Sequence, residues 1–243
     1  MTEFITQLRQ TLVPGADARH CPLPPLLVGL TVVTGLVDAF SYLVLGHVFV
    51  ANMTGNVVFL GFALAGAPGF SITASISALA SFWLGALAGG AVGARLGEHR
   101  GRLLATTTGL QAAVFASSAV LTALGDRPFT AGFRFPLIVL LSLAMGLQNA
   151  TARRLAVPDL TTTVLTLTIT GTAADSALIG GRGSTAVRRV ISVAAMFTGA
   201  LAGALMVVQL SIVLPLVAGL VVLAAVAAVG AAAWNSDAAW VRP

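Results

Sequence analysis

The sequence predicts an all-α, polytopic membrane protein, and three observations carry that reading. Of 243 residues, 57% are hydrophobic and only 9% charged, against about 25% charged in ordinary soluble domains. The mean hydropathy is +0.97, and apolar stretches of about 18 residues or more, long enough to cross a bilayer as helix, recur along the whole chain. The third observation is an internal repeat. Gly35-Leu36-Val37-Asp38-Ala39 and Asn52-Met53-Thr54-Gly55-Asn56 are answered roughly 111 residues later by Gly146-Leu147-Gln148-Asn149-Ala150 and a threonine-rich run from Thr161 to Thr172. Gly85-Ala86-Leu87-Ala88-Gly89 recurs letter for letter as Gly199-Ala200-Leu201-Ala202-Gly203. A short apolar chain that repeats a polar motif has the plan of a small transporter or channel.

The elements follow in order. Residues 1–24 form an N-terminal segment in which Phe4, Leu8 and Leu12 fall at helical spacing, as a short surface helix or a disordered tail. It lacks the charged start and apolar centre of a cleaved signal peptide. Cys21 is the single cysteine, so no intrachain disulfide forms. Eight apolar segments come next: 26–46, 48–66, 72–94 and 103–124 in a first copy, 25–125, then 135–152, 160–181, 188–209 and 212–233 in a second, 126–234. A tail, 235–243, closes the chain.

The thirteen basic residues, all arginine, choose between two topologies. If all eight segments span and the N-terminus is inside, Arg9, Arg19, Arg127, Arg134, Arg182, Arg188, Arg189 and Arg242 lie inside and five others outside. If instead the second and sixth segments enter and leave on one side, only Arg127 and Arg134 remain outside. The positive-inside rule favours the second arrangement. Each copy then holds three spanning helices and one broken, re-entrant segment, and the two copies are inverted. Eight spans in parallel repeats is the alternative. Both termini are cytoplasmic under either, and the arginines between apolar segments read as topological rather than as a nucleic-acid surface, for no zinc pattern or aromatic platform accompanies them.

The broken segments hold the candidate substrate-binding residues: Asn52, Thr54, Gly55 and Asn56 in one copy, Thr162, Thr166, Thr168 and Gly171 in the other, with Asn149. Threonine alternating with apolar residues has the period of an extended chain, and unwound backbone within a membrane is tolerated only where protein or a wet cavity satisfies it. The plainer reading is that such threonines bond their own upstream carbonyls and that the asparagines join helices. Asp38, near the middle of the first span, is the candidate coupling residue. Its insertion costs about 2.5 to 3.5 kcal/mol, which the twelve Leu, Val and Phe residues around it offset at roughly 0.3 to 0.6 kcal/mol each. Thr31, Thr34, Gly35, Asp38, Ser41 and Tyr42 share one helical face, a polar stripe expected to face the bundle interior. Asp38 is then a proton carrier, a cation ligand, a partner for an arginine, or a hydrogen-bonded packing residue.

His47 stands alone, without the partners that a metal site requires. Gly85, Gly89, Gly93, Gly199 and Gly203 are spaced for close helix packing, within one chain or between copies in a homo-oligomer. No serine elbow, HExxH zinc motif or phosphate-cradling loop is present. The expected protein is therefore not an enzyme and needs no cofactor; its partners are membrane lipid and a small solute.

At Gly35–Ala39, Ala51–Asn56, Met145–Ala150 and Thr161–Thr166 the chain resembles the YoaK-type family of bacterial membrane proteins, a family of unknown function. The resemblance runs from Gly35 to about Gly203 and implies a multi-pass protein of the bacterial inner membrane. The family's second copy tends to carry glycine after the threonine, where this chain has Leu167. Two functions fit: a small-solute transporter or channel with its site between the broken segments, or a non-transporting membrane protein that binds a partner or lipid, its polar motifs structural.

The two topologies differ at loops that a labelling experiment reaches. Cysteines introduced at His99, Pro158 and Ser236 in a Cys21→Ser background are expected to be shielded from impermeant thiol reagents applied outside intact cells. Labelling at positions 99 and 158 from outside would establish eight spans instead.

Overall fold

In the computed structural model, residues 21–125, 129–157, 170 and 186–242 are described. Seven helices account for most of them: α1 (Leu23–Val44), α2 (Met53–Leu64), α3 (Ile72–Leu96), α4 (Arg100–Leu124), α5 (Ala131–Leu155), α6 (Ala186–Leu205) and α7 (Leu214–Ala232). A π turn, Met206–Leu210, extends α6, with the Ser211 amide donating to the Met206 carbonyl at 2.8 Å. Six of the helices, α2 excepted, are long and apolar enough to cross a membrane.

Local sequence explains the ends. Pro24 and Pro25 occupy the first turn of α1, where a missing N–H is harmless. Ser71 caps α3 by accepting from the Ala74 amide at 3.2 Å, and His99 caps α4 through Nδ1 and the Arg102 amide at 3.3 Å. Asn52 opens α2, whose 12 residues measure about 18 Å at 1.5 Å per residue. That falls short of a hydrocarbon core of about 30 Å. The helix of the second apolar segment is thus shorter than a span, as expected of a broken segment; the sixth segment, 160–181, lies outside the described residues but for Thr170.

The glycine contacts fix how the helices run relative to one another. Gly85 of α3 lies against Leu143 of α5 and Gly89 against Leu147, so α3 and α5 run parallel. Gly199 of α6 lies against Val32 of α1 and Gly203 against Leu36, a second parallel pair. Gly230 of α7 meets Gly101 and Ala105 of α4 while Gly219 meets the Phe115 ring, so α4 and α7 run antiparallel.

Helix α1 is the axis of the bundle. Leu27, Leu30, Val33, Val37 and Phe40 are buried there against α4, α5 and α7, whose Phe115, Leu141, Met145, Leu216 and Leu223 are buried in turn. The outer surface is apolar as well, with Trp83, Phe197, Val208 and Val221 more than half exposed. A girdle of that kind suits lipid rather than water. The start of α1 shares a face with Arg95, Arg100, Arg102, Arg153, Arg154, Arg188, Arg189 and Arg242; of the described arginines only Arg134 lies at the opposite face.

The glycine faces are spent inside the chain. Gly35 and Gly146 make the reciprocal contacts to α6 and α3, with Met196 and Ala200 over the first and Phe82 and Ala86 over the second. Of the two uses expected for these faces, within one chain or between copies, Gly85, Gly89, Gly199 and Gly203 have the first: a neighbouring helix of the same chain covers each. Small residues matter here because, in lipid, close backbone approach supplies the dispersion contact that water would otherwise drive. A valine at Gly85 or Gly199 has no room, so Gly85→Val and Gly199→Val are each expected to cost about 1 to 3 kcal/mol or more. Gly90, beside which a Cβ meets nothing, is the control. Thermal unfolding in detergent checks this: Tm falls for the first two and stays within error for Gly90→Val.

Candidate functional site

The site is built around a stretch of chain that is not helical. Helix α1 ends at Val44, and the backbone turns through Gly46 (φ 90) and His47 (φ 54) before running unpaired to Asn52. Amides left bare at membrane depth cost several kcal/mol each. Two side chains take them up. Asp38 Oδ1 accepts from the Val50 amide at 3.2 Å and the Ala51 amide at 2.8 Å. Asn56 Oδ1 accepts from the Phe49 amide at 2.9 Å while its Nδ2 donates to the Phe49 carbonyl at 2.6 Å. Asn56 thereby imitates the edge of a strand, which requires one donor and one acceptor on the same planar group.

The rest of the motif supports this clamp. Asn52 caps α2 by accepting from the Gly55 amide at 3.3 Å. A Cβ at Gly55 would lie 2.6 Å from Phe49 Cδ2, so only glycine lets the Phe49 ring rest on the helix. Tyr42, Phe49 and Phe59 stack with centroids 5.1 and 5.4 Å apart, and Phe70 joins Phe59 at 5.2 Å. His47 places Nδ1 3.0 Å from the Gly69 carbonyl, tying the linker to the turn before α3. The α2 N-terminus, with its partial positive charge, begins just beyond the amides that Asp38 holds.

The structure brings Asp38, Asn52, Gly55 and Asn56 to one linker, but not all the expected residues. Asp38 and Asn56 are buried, Gly55 is half-buried, and Asn52 and Thr54 are exposed. Asn149 belongs elsewhere: it lies on α5, and its Nδ2 donates to the Met145 carbonyl at 2.9 Å, while α2 packs on α3. Thr162, Thr166, Thr168 and Gly171 lie outside the described residues; Thr170, helical and exposed, is the one described member of that tract. Asp38 is also not at mid-span. It lies six residues from the end of α1, about 9 Å, because the linker it holds is at that end. Among the described residues no arginine forms an ion pair with it; the pair of Arg242 with Asp237 lies at the surface. Its second oxygen, Oδ2, is buried and makes no hydrogen bond.

A second polar cluster lies deeper. Gln111 Nε2 donates to the Ala144 carbonyl at 2.8 Å and lies 3.3 Å from Gln148 Oε1. Gln148 Nε2 continues to Thr34 Oγ1 at 3.0 Å and the Leu30 carbonyl at 3.1 Å. This links α4, α5 and α1 through the middle of the bundle. Gln111 Oε1, Ser118 Oγ and Ser142 Oγ are buried there without partners. Sequence reasoning missed both glutamines, although each is a strongly polar residue in an apolar segment, the signal used for Asp38. The threonines Thr31, Thr34, Thr107, Thr108, Thr122 and Thr151 bond carbonyls one turn upstream, the plainer of the two uses considered for threonine. The expected polar stripe does face inward, with Thr31, Thr34, Gly35, Asp38 and Ser41 all buried. Among the described residues no three His, Cys, Asp or Glu side chains gather as a metal site requires.

The clamp makes an asymmetric prediction. Asp38→Asn keeps an acceptor oxygen for Val50 and Ala51 and is expected to shift Tm little, whereas Asn56→Asp removes the donor to Phe49 and sets a carboxylate against its carbonyl. An unsatisfied buried partner costs about 1 to 3 kcal/mol. Thermal unfolding of the two variants should therefore rank Asn56→Asp well below Asp38→Asn; equal Tm values would sink the clamp.

Residues 26–229 match the family model described as a protein of unknown function, DUF1275. The chain is 33% identical over 147 residues to the UPF0700 transmembrane protein YoaK of Bacillus subtilis (strain 168), a match covering 59% of this chain and 63% of the relative. The match thus spans a little under two thirds of that relative's length. No solved structure matches the chain. With six long apolar helices and a bacterial transmembrane relative, this multi-pass membrane protein belongs to the DUF1275 family.

Proposed function

We propose that the protein is a small-solute transporter or channel of the bacterial inner membrane, built as two inverted copies of three spans and one broken segment. The arginine-rich face is the cytoplasmic one. The repeat reading is supported by contacts that exchange under the alignment of the copies: Gly35 on Met196 and Ala200 corresponds to Gly146 on Phe82 and Ala86, and Gly85 on Leu143 corresponds to Gly199 on Val32. Asp38 and its counterpart Asn149 each lie six residues from the C-terminal end of their helices, at opposite faces, as inversion requires.

The solute site lies at the linker before α2, with Asn52, Thr54, Gly55 and Asn56 on one side and the threonine segment of the second copy, Thr162, Thr166, Thr168 and Gly171, on the other. The observation that carries this reading is the free Oδ2 of Asp38, buried beside the N-terminus of a half-length helix. Broken helices of inverted-repeat carriers offer backbone groups and helix ends to a solute in this way. A carboxylate oxygen with no protein partner supplies the proton or cation acceptor. No catalytic role is assigned to any residue.

One set of distances favours a second reading, a non-transporting protein in which the motif only locks the bundle. Asp38 Oδ1 and the whole Asn56 amide are already engaged with the linker backbone. Flux measured in proteoliposomes over a panel of small polar solutes separates the two. A transporter is expected to move at least one solute in a protein-dependent manner, and Asp38→Asn to keep the fold while losing dependence on an imposed proton or cation gradient. No movement or binding of any solute by folded protein would leave the locking role alone.

A further inference from the structure

A groove opens sideways from the bundle between α3, α4 and α5. Its volume is about 150 Å³, and Ala88, Val92, Leu110, Val114 and Leu147 form its walls, with Gln111 at the back. An apolar space of this size takes hydrocarbon in preference to water. It runs from mid-helix, at Leu143 and Val114, toward the arginine-rich face, where Val92 is four residues from the end of α3, about 6 Å.

The same helix faces carry charge at the bilayer surface. Arg95 follows Val92 by three residues and Arg154 follows Leu147 by seven, so each continues the groove-lining face of its helix. The Arg154 stem rests on Gly93 and its guanidinium on Gly97, which brings it across from α5 to the end of α3. Arg95, Arg153 and Arg154 are all exposed, and among the described residues none forms an ion pair; Glu98, the adjacent acid, makes none either. Arg102, by contrast, is turned away to the Trp234 carbonyl at 2.9 Å and to its ring.

We propose that this groove seats an acyl chain of an anionic phospholipid whose phosphate is held by Arg95 and Arg154. Two guanidinium groups without acidic partners suit an anionic phosphate, to which arginine offers paired donors. The apolar groove directly beneath them selects a lipid over a soluble anion, and basic pockets between spanning helices at the cytoplasmic side recognise lipid headgroups on these grounds. The groove shares no residue with the Asp38 linker, so the proposal stands whether or not the protein transports a solute.

The test uses the full chain in a mild detergent, with native mass spectrometry of lipid retained from equimolar phosphatidylglycerol and phosphatidylcholine of identical acyl chains. Wild-type protein is expected to retain phosphatidylglycerol about tenfold more, each arginine adding a few-fold. Arg95→Gln combined with Arg154→Gln should equalise the two lipids, and Val92→Trp, which fills the groove, should release both. Equal retention by wild type, or retention unchanged in Val92→Trp, overturns the proposal. So does displacement of the lipid by inorganic phosphate or glycerol phosphate, which would mark a soluble-anion site. Should the double arginine variant fail to fold, the wild-type comparison and Val92→Trp decide.

Discussion

A run of non-helical backbone lies between two helices at the edge of a membrane, and its peptide groups must be satisfied from within the protein. Asp38 and Asn56 do this for residues 49–51, and much of the surrounding sequence follows from it. Glycine at 55 admits the Phe49 ring, Gly46 and His47 turn the chain into the linker, and the Tyr42–Phe49–Phe59 stack closes over the turn. Helix α2 has 12 residues, and His47 before it meets the Gly69 carbonyl after it, so the chain enters α3 close to where it left α1. The parity of every later helix depends on that reversal.

Parity, in turn, decides which helices pack. With α2 returning, α3 and α5 run one way and α1 and α6 the other, so each pair meets in parallel through glycines that let backbones touch. Lipid tails give no hydrophobic drive for such contacts, and close approach substitutes for it. The same parity collects the arginines at one face, where they serve insertion and where Arg95 and Arg154 border the apolar groove.

The polar interior is carried by a few side chains. Asp38 holds the linker before α2, and the Gln111–Gln148–Thr34 chain joins α4, α5 and α1. The buried oxygens without partners, Asp38 Oδ2, Gln111 Oε1, Ser118 Oγ and Ser142 Oγ, all belong to α1, α4 and α5, and buried polar atoms of this kind mark places where water, an ion or a solute completes the bonding.

The sequence by itself determined the class, the segments and the family. Apolar runs at 26–46, 72–94, 103–124, 135–152, 188–209 and 212–233 anticipate α1, α3, α4, α5, α6 and α7 to within a few residues. They do so because insertion is a sum over residues, legible without knowing any neighbour. Arginine positions favoured six spans for the same reason. What only the tertiary structure decided is who bonds whom. Asp38 and its acceptor role toward Val50 and Ala51 are 12 and 13 residues apart, and Gln148 reaches Thr34 across 114. Neither spacing has a period to read. A hydrogen bond between segments depends on the direction, rotation and depth at which the helices meet, and those are set by the glycine contacts rather than by either partner's own sequence. For that reason Asp38 was legible as costly but not as a clamp near the end of its helix, and Gln111 was not singled out at all.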